Sequence, residues 1–212
     1  MMTVARPRGV DDLAILRAAT EVMGRVGPAG LTLAAVAREV GLVPATLTQR
    51  FGSKRGLLLA LADRSVEDAG ARIAQVRAAH GSALGALSEL VTETMAGMAT
   101  PERFANHLAF LCMDLTDPQL RERALAVHRA QTRAVVELLA EAVAAGELRA
   151  GTDPAALART VQAVAAGTGM HWALEGEGDL GRRLRHELDA VLSPHLPARP
   201  PRPEEAASAG AA

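Results

Sequence analysis

The chain has 212 residues, enough for a small domain joined to a larger one, and its apolar content of 49% is enough to bury a core rather than leave the chain disordered. Aromatic residues are 2% and Tyr is absent while Ala, Leu and Val dominate, which argues against sheet, where β-branched and aromatic side chains are favoured, and for an all-α fold. The net charge of −1 divides unevenly: residues 1–56 carry eight basic and four acidic side chains and the remainder 15 basic and 20 acidic, a basic head on an acidic body suited to a polyanionic partner.

Residues 1–9 read as a short flexible basic arm with Arg6 and Arg8. From Val10 to about Val26, apolar residues at three- and four-residue spacing (Leu13, Leu16, Ala19, Val22, Met23, Val26) predict an amphipathic helix, ended by Gly27, Pro28 and Gly30. Thr32 can cap a second helix with the apolar face Leu33, Val36, Ala37 and Val40, stopped at Gly41. Pro44 suits the first turn of a third helix ending at Phe51. In it only Leu47 and Phe51 are large and apolar, and they share one face; Ala45, Thr46, Thr48, Gln49 and Arg50 are left for the other.

Ser53 can cap a long helix from Lys54 to about Ala79, and a fifth runs from Ser82 to Ala99. The next three start on one signature, a capping side chain followed by proline: Thr100-Pro101, Asp117-Pro118 and Asp153-Pro154, giving helices to about Leu115, Ala145 and Leu174. A ninth covers Asp179 to Leu196, and Pro197 to Ala212 reads as a disordered tail.

A helix, a glycine turn and a short second helix with a polar outer face form a helix-turn-helix, whose second helix fits the DNA major groove. The residues themselves resemble the N-terminal domain of the TetR-family regulators. The matched elements are Ile15-Leu16 with Ala18-Ala19, Gly27, Leu31-Thr32-Leu33 with Val36-Ala37, Gly41, Thr46-Leu47, Phe51, Ser53-Lys54 and Leu57-Leu58. The match spans about residues 13–62, and its many ordered positions make it specific. It implies a DNA-binding transcriptional regulator, most often a repressor released by a small molecule, built as a nine-helix all-α fold. The divisions expected are an arm at 1–9, a helix-turn-helix domain at 10–56, a ligand-binding and dimerisation body at 57–196 and a tail from 197.

Carried over by position, Pro44, Ala45 and Gln49 face base edges, while Thr46, Thr48, Arg50 and Lys54 face the DNA backbone; Thr32 is a further DNA-binding residue, and Arg6 and Arg8 can reach a minor groove or phosphates. Gln49 is the one side chain of that helix able to pair bidentately with adenine. Two positions depart from the family: Thr48 stands where a Tyr usually meets a phosphate, and Val43 stands where a polar residue usually caps the recognition helix.

The resemblance also implies a cavity among the middle helices for a largely apolar effector, and a homodimer through the last two helices. Met95, Met98, Phe104, His107, Phe110, Cys112 and Met113 cluster on two adjacent helices and are the candidate ligand contacts, methionine being adaptable to irregular surfaces; ordinary core packing is the plainer alternative for each. For the dimer, Ala163, Ala165, Ala166, Gly167 and Gly169 form a smooth surface on the eighth helix near Trp172, and Leu184, Leu188, Val191 and Leu192 an apolar face on the ninth, with intramolecular packing as the alternative.

No enzyme chemistry emerges. Gly176 to Gly181 spells the dinucleotide fingerprint, but helix flanks it where a strand is required. Cys112 is the only cysteine, which excludes an internal disulfide framework and a cysteine zinc cluster, and no cofactor or metal is expected. The first residues lack the apolar run of a secretory signal, and the stretch Ala163 to Leu174 is too short to span a membrane, so a cytoplasmic protein is expected. The alternative to a regulator is a helical module binding protein rather than specific DNA; strong salt dependence of nucleic-acid binding separates the two.

Overall fold

Helix starts follow the capping side chains. Thr32, Ser53, Ser82, Thr100, Asp117, Asp153 and Asp179 each accept a hydrogen bond from a backbone N–H two or three residues on, at 2.7–3.3 Å together with Asp11 at the first helix. The computed structural model describes residues 10–198; the expected arm with Arg6 and Arg8, and the tail from residue 199, lie outside the described residues. Among the described residues there are nine α-helices and no strand. They are α1 Asp12–Gly30, α2 Leu33–Glu39, α3 Pro44–Phe51, α4 Lys54–Ala79, α5 Ala83–Ala96, α6 Pro101–Thr116, α7 Pro118–Ala144, α8 Pro154–Glu175 and α9 Leu180–Leu192, followed by a 3-10 turn at Ser193–His195. None is long and apolar enough to cross a membrane.

Three ends differ from expectation. α1 begins at Asp12, capped by Asp11, and carries its break inside: Gly27 has φ 65° and ψ −172°, and one further turn containing Pro28 runs on to Gly30. α5 ends at Ala96 rather than Ala99. α9 ends at Leu192, because Pro194 cannot donate to the helical ladder and the chain tightens into the 3-10 turn.

Two main cores divide the molecule. In the head, Ile15, Ala19, Val22, Leu31, Val36, Ala37 and Leu47 close on Leu57, Leu58 and Leu61 of α4, joined by Phe110 of α6 and Leu120 of α7. In the body, α4, α5, α7, α8 and α9 meet around Leu87, Leu138, Leu139, Leu148, Val161 and Leu188. α4 belongs to both, and its 26 residues span about 39 Å at 1.5 Å per residue. α6 lies between them, packed on α1, α7 and α8. A smaller cluster of Phe104, Trp172, Leu180 and Leu184 fills the space beside it.

The α9 leucines therefore have their partners inside the protomer: Leu184, Leu188 and Leu192 are at most 5% exposed there. Trp172 is likewise buried, its Nε1 donating to the Gly178 carbonyl at 3.0 Å. These residues of the expected dimer contact are taken up by intramolecular packing. The α8 face left open carries Ala163, Ala166, Gly167, Met170, His171 and Leu174.

Two substitutions test this account of local structure. Val43 gives α3 no side-chain cap, so Val43→Ser should raise stability by about 1 kcal/mol in chemical denaturation; no gain would mean that the first N–H groups of α3 already have equivalent partners. The φ/ψ pair of Gly27 is one essentially reserved for glycine, and a Cβ built there falls 2.5 Å from Asn106 Oδ1. Gly27→Ala should therefore cost about 1–3 kcal/mol in the same assay; a loss below about 0.5 kcal/mol, the size of a neutral surface change, would show that the turn is free to relax.

Candidate DNA interface and ligand cavity

The turn between α2 and α3 is made by Gly41, at φ 67°, and the fully buried Leu47 fixes α3 by its back. Pro44, Ala45, Thr48, Gln49 and Arg50 are exposed on its front, Thr46 is half-buried, and Thr32 is exposed at the start of α2. Val43, at the leading end of α3, is 63% exposed.

The polar groups on this face are not equally free. The Thr32 hydroxyl already accepts from the Ala35 N–H at 3.0 Å, and the Thr48 hydroxyl donates to the Pro44 carbonyl at 3.2 Å. Arg50 donates through Nη1 to the Val10 carbonyl at 2.6 Å and to Asp12 Oδ1 at 3.0 Å, tying α3 to the start of α1. Lys54 Nζ donates to the Pro28 carbonyl at 2.5 Å, tying α4 to the turn before α2. Gln49 makes no side-chain hydrogen bond among the described residues. Arg38, exposed near the end of α2, forms no ion pair among them either; only its exposure, invisible in the sequence, marks it.

A cavity of about 670 Å³ lies in the body beneath the head, walled by α4, the α5–α6 segment, α6, α7 and α8. Of the expected contacts, Met95, Met98, Phe104 and His107 line it. The other three do not. Phe110 and Met113 face the opposite way and pack in the head core, and Cys112 is exposed. Leu108, Leu111 and Asp114 continue the lining on α6, Arg123, Val127, His128 and Gln131 come from α7, and Ala166 and Met170 from α8. Gly169 lets α8 approach closely, since a Cβ there would meet Phe104 Cε2 at 2.6 Å.

Electrostatics in the cavity are set by α6 and α7. Burial pushes the Asp114 carboxyl above its ordinary value, and the charge of Asp117 adds to the shift. Asp117 itself is held below the usual carboxylate range by the Leu120 N–H and by Arg55, which bonds it at 2.9–3.1 Å. Arg123 is balanced by Asp63, with bonds of 2.5 and 3.3 Å. His107 Nδ1 lies 2.8 Å from the Arg103 carbonyl. A carbonyl only accepts, so Nδ1 is the donor in this contact and Nε2 is left for another partner.

The same helix meets the head on its other side. Arg103 pairs with Glu21 at 2.6 Å, and Asn106 Nδ2 donates to the Gly24 carbonyl at 2.9 Å. Gly24 is buried, and a Cβ at its position would stand 3.2 Å from His107 Cε1. One turn of α6 thus touches both the cavity and α1.

Comparison with known proteins agrees with this arrangement. Residues 15–61 match the family of bacterial regulatory proteins of the tetR type, and residues 110–188 match the tetracyclin repressor-like C-terminal domain; together these cover more than half of the chain. No curated protein sequence matches. Among solved structures, a transcriptional regulator from Saccharomonospora viridis in complex with choline superposes with a TM-score of 0.71 at 20% identity, covering 87% of this chain and 96% of that one. SmeT of Stenotrophomonas maltophilia, repressor of the multidrug efflux pump SmeDEF, gives 0.65 at 21%, covering 90% and 92%. FadR of Bacillus subtilis, in complex with stearoyl-CoA, gives 0.64 at 18%, covering 86% and 98%. These likenesses are of fold. With a matched domain at each end and a helix-turn-helix presented by its front, this chain belongs to the TetR family of DNA-binding transcriptional regulators.

Proposed function

We propose that this protein is a cytoplasmic, homodimeric repressor whose two helix-turn-helix heads hold an operator and are released from it by a small molecule bound in the cavity. The observation that carries the reading is the position of α6, whose His107 lines the cavity while Arg103 and Asn106 on the same turn grip α1. A ligand that changes the seat of α6 changes the seat of the head. By linkage, operator DNA then weakens ligand binding by the same factor, typically equivalent to about 1–3 kcal/mol. The choline and stearoyl-CoA complexes of the fold neighbours show how varied the molecules held by this fold are, and both support an effector here.

In this reading Pro44, Ala45 and Gln49 meet base edges, and Thr32, Thr46 and Thr48 meet the backbone. Arg38 adds a phosphate contact. Arg50 and Lys54 hold α3 and α4 in place in the free protein and exchange those internal partners for phosphates on DNA. The helix-turn-helix unit is bounded near residue 56, with the effector-binding and dimerisation body following to 196. The dimer forms on the exposed α8 face beside the cavity mouth, where Leu174 is 80% exposed, with α9 flanking it. Two heads are also what a palindromic operator requires.

Selection of genomic fragments on the purified protein tests the reading. A palindromic site enriched at moderate salt supports it, and retention without sequence preference after ligand removal and refolding overturns it. With the site in hand, Gln49→Ala should weaken binding about 5–100-fold, the equivalent of one bidentate adenine pair, and leave the salt dependence unchanged. Arg50→Ala should instead make the slope of log K against log salt shallower by about 0.9, as loss of one phosphate contact does. An unchanged slope would confine Arg50 to holding α1.

A further inference from the structure

Resting on the reading of the cavity as the effector site, we propose that the effector is an amphipathic cation, an apolar body bearing one protonated amine that sits against Asp114. Both the charges of the cavity wall and its hydrogen-bonding groups favour such a molecule. Most of the wall is apolar and adaptable, from Met95, Met98, Phe104, Leu108, Leu111 and Met170. Three charged groups bear on the cavity. The positive charge of Arg123 is balanced by Asp63, and the negative charge of nearby Asp117 by Arg55. Asp114 has no cationic partner among the described residues, so the wall carries one uncompensated carboxylate.

The donors and acceptors point the same way. The Ser65 hydroxyl donates to the Leu61 carbonyl at 3.0 Å, leaving only its lone pairs for a ligand. His107 uses its Nδ1–H on the Arg103 carbonyl, so that donor is not available to a ligand. Gln131 and His128 are the other polar groups of the wall, and the Gln131 amide brings an acceptor oxygen as well as a donor. An anionic ligand would meet the Asp114 carboxylate with no unpaired cation to offset it. A neutral ligand would leave that carboxylate in its half-buried setting without compensation. A protonated amine supplies the missing charge and donates into a wall rich in acceptors.

The test compares three probes with the same ten-carbon chain, decylamine, decan-1-ol and decanoate, titrated below their aggregation limits into the full-length protein at pH 7. Binding is read by calorimetry and by the fluorescence of Trp172, the only tryptophan, which packs in one cluster with Phe104. Decylamine should bind at least about tenfold more tightly than decan-1-ol, the difference expected of one charge-assisted hydrogen bond, and decanoate least. Asp114→Asn should bring the amine and the alcohol within about threefold of each other while the alcohol still binds, which also shows that the cavity has formed. Asp114→Glu should keep the preference. Equal binding of amine and alcohol by the unaltered protein, or a preference that survives Asp114→Asn, overturns the assignment but leaves an effector cavity. Failure of all three probes to bind overturns both.

Discussion

The head and the body are joined along one face of α6, and the geometry of that seam governs what either can do. Glu21, Gly24 and Gly27 lie at three-residue spacing on α1, opposite Arg103, Asn106 and His107 of α6. The two glycines let the helices close until a side-chain amide reaches a main-chain carbonyl. Below them, Phe110 and Met113 leave the body altogether and enter the head core. α6 is therefore a shared wall rather than a body helix, and the first α4 residues are a second one through Leu57, Leu58 and Leu61. A change in the cavity has two short routes to the recognition helix, both through packed side chains.

The parts of this fold that were legible in the sequence are those fixed by neighbours in the chain. Thr100-Pro101, Asp117-Pro118 and Asp153-Pro154 start helices because the cap and the proline act within one turn, and the three starts coincide with the observed ones to the residue. The front and back of α3 were also legible, since two apolar residues four apart leave no choice of buried side. The cavity was half legible. Phe104, His107, Leu108 and Leu111 share one face of α6, whereas Phe110 and Met113 share another, and a helix buried on two sides has no polar stripe to say which apolar residue belongs to which. The α7 lining was hidden for the opposite reason. Arg123, His128 and Gln131 look like a solvated face until α4 and α6 are laid across them.

Long-range pairing accounts for the remaining differences. Nothing local says that Arg50 will find Asp12, 38 residues away, or that Lys54 will find the Pro28 carbonyl, 26 residues away. A basic side chain on a DNA-facing helix looks the same in sequence whether it is free or engaged. The leucine stripe of α9 posed a similar choice between a partner copy and its own body. The body offered Leu87, Leu90 and Val161 within reach of the chain, so α9 was spent internally and α8 kept the open apolar face.

The strength of the seam suits a switch. Its polar contacts are exposed at the edge: Arg103 and Glu21 have side chains 31% and 61% exposed, and ion pairs of that kind contribute roughly 0–1 kcal/mol. The Asn106 bond to a main-chain carbonyl adds about 1 kcal/mol. At the other end of the same face Phe110 is 4% exposed in the head core, and its displacement would cost several times more. On the face of α6 turned to the head, the polar contacts of Arg103 and Asn106 are thus weak and the anchor at Phe110 strong. His107 lies on the same turn as the weak Arg103 and Asn106 contacts, so the coupling energy of about 1–3 kcal/mol proposed for an effector matches the cost of breaking them and falls short of displacing Phe110. A seam sealed throughout by leucines would transmit nothing at that energy, and one lacking Phe110 would let the ligand move α6 without moving the head.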